Sequence, residues 1–148
     1  MVPLGPNVNG FEDDLKAFVS KNSDGTDLQK EVVALSAGTA AVHLALLACG
    51  VGPGDEVCVQ SFTFCASSHP ITYLGATPVF IDSEPNTWNM DPELLEKAII
   101  DRKEKTGKYP KAIVPVALYG MPYDCDRIMA IADKYGIPVV EDAAEGMG

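Results

Sequence analysis

Apolar residues along this chain change their spacing repeatedly, from every third or fourth position to short unbroken runs. Phe11, Leu15, Phe18 and Val19 recur at helical spacing, and residues 22–27 make a polar break. Residues 31–35 (EVVAL) are an apolar run that predicts a short buried strand. Residues 40–49 are apolar nearly all round, the pattern of a helix covered on more than one side. The cluster GVGPGD at 50–55 is a turn. Residues 57–60 predict a strand, residues 64–74 a helix that Pro70 must bend or delay, and residues 78–81 another strand.

The second half continues the alternation. Asp91-Pro92-Glu93 supplies an N-cap, a proline in the first helical turn and an early acid, a well-formed helix start. Leu94, Leu95, Ala98 and Ile99 give that helix its buried face, and Arg102, Lys103 and Lys105 suit its negative C-terminal end. Residues 112–116 predict a strand. Asp124 caps a helix through Tyr135 that Gly136 closes, and residues 137–140 (IPVV) predict a last buried strand. Apolar strands alternating with helices predict an α/β fold, a largely parallel sheet between helical layers. No repeat or linker divides the 148 residues, which reads as a single domain.

Composition narrows the function. With 47% hydrophobic and 22% charged residues the chain is ordinary for a globular protein. A net charge of −10, with no Lys/Arg stripe, argues against nucleic acid as a partner. No apolar stretch reaches the roughly 20 residues that span a bilayer, and the N-terminus shows no secretory signal, so a cytoplasmic protein without membrane partners is expected. Cys49, Cys58, Cys65 and Cys125 form no C-x-x-C pair and read as buried thiols in a reducing compartment. His43 and His69 lack acidic partners at ligand spacing, so no metal is expected.

Three places could carry chemistry, each just past a predicted strand. In LSAGTA (35–40) a glycine lets backbone approach a ligand, and the free amides of a first helical turn favour an anion; an ordinary cap by Ser36 or Thr39 explains it equally well. In SFTFCAS (61–67) an aromatic could stack on a flat heterocycle or simply pack in the core. Asp142 and Glu145, three residues apart, could lie on one face of a turn. A carboxylate at a strand end can hold a protonated ring nitrogen, or can cap a helix.

Taken in order, LGPNVNGFEDDLKAFV, LSAGTAAVHLALLACGVGPGDEV, SFTFCAS, ATPVFID, TWNMDPELLEKAI, LYGMPYDCDRI and GIPVVEDAAEGMG resemble the DegT/DnrJ/EryC1/StrS sugar aminotransferases over nearly the whole chain. The resemblance implies the large domain of a fold-type I enzyme, a three-layer α/β/α fold. It implies pyridoxal 5′-phosphate (PLP) as cofactor. Gly38, Thr39 and Ala40 would hold its phosphate, Phe64 would stack on its ring, Asp142 would pair with the ring nitrogen, and Glu145 would approach the phenolic oxygen. The activity implied is transfer of an amino group, usually from glutamate, to the keto group of a nucleotide-linked sugar, by a homodimer.

The departures from the family pattern matter too. Relatives carry a Schiff-base lysine beyond the EDAA turn, and this sequence reaches Gly148 before that segment; the lead segment before LGPN is replaced by Met1. Its own lysines fall on predicted helix surfaces, as Lys16, Lys97 and Lys134 do, or flank loops, as Lys108 and Lys111 do. No catalytic residue is therefore assigned. The chain reads as a piece of the large domain, inactive alone. Two further readings stay open: a non-catalytic PLP-binding or oligomerisation module, and a PLP-dependent sugar dehydratase with His in place of the lysine. Ala117 and His69, where relatives often carry His and Asn, leave the substrate undetermined.

Overall fold

The structure, a computed structural model, describes residues 5–21 and 25–147. These divide into two compact units, parted between Ser36 and Ala37.

In the first unit, helix α1 (Pro6–Val19) begins on a proline, whose missing N–H would lack a helical partner anyway. It buries none of its residues, and Phe11 and Phe18 are exposed. The chain then doubles back, with Lys21 and Asp27 in an antiparallel bridge and Leu28 N donating to Ser20 O at 2.8 Å. Residues 22–24 of the expected polar break lie outside the described residues.

Residues 31–35 are not a strand: Val33 is 69% exposed, and Ala34 N donates to the Glu12 carboxylate at 2.7 Å. An apolar run becomes a strand only when a second chain segment accepts its N–H groups in a ladder. Here a side chain accepts one of them instead.

The second unit holds a three-stranded parallel sheet in the order β2-β1-β3, formed by β1 (Glu56–Gln60), β2 (Thr77–Ile81) and β3 (Ala112–Val114). Strand alternation distributes side chains to both faces. Val57, Val59, Ala112 and Val114 pack with Val42 and Leu46 of α2 (Gly38–Ala48) and Ile71 of α3 (His69–Tyr73). Cys58 and Ile113 point the other way. They pack with Leu95 and Ile99 of α4 (Pro92–Thr106) and Ile128 and Ala132 of α5 (Cys125–Tyr135). Helices on both faces make the expected three layers, and each fully buried Leu or Ile contributes about 1.5–3 kcal/mol.

Residues 137–142 run parallel to β3 but form only isolated bridges, Val139 to Ile113 and Asp142 to Val116. The hydrogen bonds explain why. Ile113 N donates to Pro138 O, Val140 N to Ile113 O, Asp142 N to Pro115 O and Ala117 N to Asp142 O. The rung between would need an N–H at residue 115, and proline has none. The expected strand at 112–116 stops at Val114, because on the β1 side Val116 N donates to the Gln60 side chain at 3.4 Å in place of the β1 backbone.

Local signals set the helix ends. Asp91 accepts from Glu93 N and Leu94 N, Asp124 accepts from Arg127 N, and Gly107 and Gly136 close α4 and α5 in the left-handed region. Pro70 delays its helix: a 3-10 turn at Cys65–Ser67 precedes α3, which has Pro70 in its first turn.

Helix α2 buries Val42 and Leu46 against the sheet and α3 and leaves Leu44 and Leu47 exposed. The expected burial of all four cysteines fails. Cys65 and Cys125 are exposed, since both open helices at the rim rather than sit within strands. Cys58 is buried in β1, and burial pushes its thiol up to about 12.

Candidate active site

Three chain segments leave the sheet at the same edge and enclose a cavity of about 460 Å³. Phe62, Thr63 and Phe64 follow β1; Val116, Leu118 and Tyr119 follow β3; Asp142, Ala144 and Glu145 follow the segment beside it. Carboxyl ends of parallel strands are where open α/β sheets hold ligands, because side chains there are free of the ladder. The volume lies within the usual range for small-molecule sites.

Asp142 is half-buried in this cavity and is held from two sides. Ser67 Oγ, fully buried, donates to Oδ2 at 2.6 Å, and Ala144 N donates to Oδ1 at 3.3 Å. With its proton committed to Asp142, Ser67 can only accept from Thr63 Oγ1, 2.9 Å away. The carboxylate therefore makes a turn two residues on and does not cap a helix. Phe64 is 77% exposed, so its ring faces open space and is not core packing.

Glu145 Oε2 accepts from Tyr119 N at 2.6 Å. Tyr119 itself sits at φ 53, unusual for a bulky residue, and lines the cavity. Gly146 follows because nothing larger fits. A Cβ there would lie 2.6 Å from the Ala117 Cβ.

Gly38, Thr39 and Ala40 form the first turn of α2 and do not line the cavity. Neither Ser36 nor Thr39 caps the helix. Ala37 occupies the N-cap position and offers no side-chain acceptor. A Cβ on Gly38 would meet nothing within 4 Å, and its φ is not positive, so neither packing nor backbone strain demands a glycine. Phe64, Asp142 and Glu145 thus line one cavity, and the glycine turn is not among its lining residues.

Beneath the cavity lies a polar pair that the sequence pattern did not reveal. Gln60 and Asn89 are both fully buried. Gln60 Oε1 accepts from Met90 N at 2.9 Å and Val116 N at 3.4 Å, and its Nε2 donates to Phe62 O at 3.0 Å and Asn89 Oδ1 at 3.4 Å. Asn89 Oδ1 also accepts from Leu118 N at 3.1 Å, and Nδ2 donates to Met121 O at 2.8 Å. Two amides thereby fix the backbone on both sides of the cavity. A glutamine closing the apolar run EVCVQ was the available signal: a polar residue at a buried strand position needs a partner.

Among the described residues no lysine lines the cavity. Among the described residues no helix is long and apolar enough to cross a membrane.

The model of the DegT/DnrJ/EryC1/StrS aminotransferase family matches residues 1–148. The chain is 46% identical to the UDP-2-acetamido-2-deoxy-3-oxo-D-glucuronate aminotransferase of Pseudomonas aeruginosa, across 98% of this chain and 36% of that protein. A crystal structure of a DegT DnrJ EryC1 StrS aminotransferase from Brucella abortus superposes with a TM-score of 0.86 at 40% identity, covering 95% of this chain and 36% of the other. NtdA from Bacillus subtilis with bound cofactor PMP superposes with a TM-score of 0.84 at 36% identity, covering 98% and 30%. The chain spans about a third of the length of the relatives it matches.

Proposed function

The chain belongs to the DegT/DnrJ/EryC1/StrS aminotransferase family, and we propose that the whole protein transfers an amino group from an amino acid, glutamate in the first instance, to a keto-sugar carried on a nucleotide. The reading includes pyridoxal phosphate as cofactor and a cytoplasmic homodimer. Leu44 and Leu47, left open on α2, support a second subunit.

The observation that carries the proposal is the placement of Asp142. A carboxylate at a strand end, braced by Ser67 and sharing a cavity with an exposed phenyl ring, suits a flat cationic heterocycle. In this reading Asp142 holds the pyridine nitrogen protonated through a charge-assisted bond, Phe64 covers the ring face, and Glu145 faces the phenolic oxygen. Gly38, Thr39 and Ala40 receive the phosphate, for which the uncapped first turn of α2 is suited. Bound pyridoxal phosphate supplies an electron sink that stabilises negative charge beside the amino group being moved. Ser67 and Thr63 keep Asp142 aimed, and Tyr119 N keeps Glu145 from swinging into solvent.

Titrating the chain with PLP and following the cofactor's absorbance tests this. Binding should be saturable, and Asp142→Asn should weaken it about tenfold or more, the loss of one charge-assisted bond. Because no lysine among the described residues lines the cavity, dialysis should remove the cofactor. Retention after borohydride treatment, or an Asp142→Asn variant that binds like the parent, would overturn the reading.

A further inference from the structure

A second recess, about 510 Å³, adjoins the first and shares Phe62 with it. Its walls are aromatic: the Phe62 and Trp88 rings lie 5.8 Å apart, tilted by 59°. Its polar side chains are Ser61, after β1, and Asp82, Ser83 and Glu84, after β2.

Trp88 is held here at a conformational cost. It has φ 64, which a bulky residue rarely adopts, yet 60% of it remains exposed. Strain without burial is a poor way to build a core. The loop that imposes it is prebuilt: Glu84 N donates to Asn89 O at 2.9 Å, Trp88 N to Glu84 O at 3.1 Å, and Asn86 N to the Glu84 carboxylate at 2.6 Å. Asn89 then ties this loop to the floor of the first cavity through Leu118 N and Met121 O.

The chemistry of the recess selects its occupant. Ser83 Oγ is buried and, among the described residues, has no hydrogen-bond partner. Asp82 receives Ser83 N at 2.8 Å and Ser61 Oγ at 3.5 Å, both on Oδ1, which leaves Oδ2 for a ligand. The charged residues lining the recess are Asp82 and Glu84, both acids, so phosphate and carboxylate groups are repelled. Aromatic faces beside a carboxylate and a hydroxyl suit a neutral ring with apolar C–H faces and hydroxyl donors.

We propose that the Phe62–Trp88 recess is a subsite for the pyranose ring of the acceptor substrate, with the ring face against Trp88 and its hydroxyls on Asp82 and Ser83. This inference rests on the reading of the neighbouring cavity as the cofactor site. Asp82, Ser83 and Trp88 act on sugar binding and leave cofactor binding alone.

Trp88 is the only tryptophan in the sequence, so its fluorescence reports the recess directly. The chain is titrated with UDP-N-acetylglucosamine, UDP or glutamate, and PLP uptake is measured separately by absorbance. UDP-N-acetylglucosamine should shift the emission saturably, whereas UDP and glutamate should not. Asp82→Asn should weaken the sugar about tenfold, as should Trp88→Gly read by calorimetry, with PLP uptake unchanged in both. Glycine tolerates the backbone at residue 88, so that variant folds. An equal response to UDP, no response to the sugar nucleotide, or unchanged sugar binding in both variants overturns the proposal. Sugar binding that persists when the parent chain fails to take up PLP would instead overturn the cofactor reading.

Discussion

At the scale of single residues, the site depends on two close approaches. Ser67 braces Asp142 with a 2.6 Å bond from a fully buried hydroxyl. Ser67→Ala should leave one carboxylate oxygen without its protein donor and weaken PLP binding about tenfold, the effect of one hydrogen bond to a charged group. Ser67→Thr, which keeps the hydroxyl, should recover part of it. Gly146 meets the Ala117 Cβ, so Gly146→Ala should destabilise the fold by about 1–3 kcal/mol in denaturant titrations. Adding Ala117→Gly should restore most of that loss. A double variant no better than the single one would show that the clash is not what glycine relieves.

At the scale of elements, loops are held by buried amides and by turn chemistry. Gln60→Leu keeps the approximate shape but leaves the buried Met90 N and Val116 N without their acceptor, at about 1–3 kcal/mol for each unsatisfied group. The expected outcome is a large drop in unfolding midpoint.

The loop at 84–89 should respond to acid. Hydrogen bonds from the Thr87 hydroxyl and from the backbone of Asn86 hold the Glu84 carboxyl below its ordinary 4.5. A depressed acid contributes stability that is complete above its unfolded value and is lost as pH falls through the lower folded value. Trp88 emission should therefore stay constant above pH 4.5, change below it, and lose that transition in Glu84→Gln.

At the scale of the whole molecule, burial sorts the four thiols. Cys65 and Cys125 are exposed, Cys49 is partly covered, and Cys58 is buried with its thiol held neutral by desolvation. A thiol reagent at neutral pH should label Cys65 and Cys125 quickly and Cys58 only on unfolding. Rapid labelling of Cys58 would mean that the sheet opens. Leu44 and Leu47 on α2, with Phe11 and Phe18 on α1, leave apolar surface uncovered within the described residues. Association by light scattering is expected, and Leu44→Lys with Leu47→Lys should reduce it.

The order of helices and strands was legible because its causes are local. Asp91 and Asp124 cap their own helices, Gly107 and Gly136 end them in a conformation other residues resist, and Pro70 delays one where it stands. The run at 31–35 misled for the opposite reason: hydrophobicity says nothing about whether a ladder partner exists. The acids at 142 and 145 could be singled out from their place after an apolar run. Their chemical setting could not, because Ser67 lies 75 positions from Asp142 and Asn89 lies 29 from Gln60. What a few neighbouring residues settle through sterics and capping was already present in the amino-acid order. Which buried polar atom satisfies which, and so where the cavity's walls stand, was decided only when the strands paired and brought distant donors within reach of their acceptors.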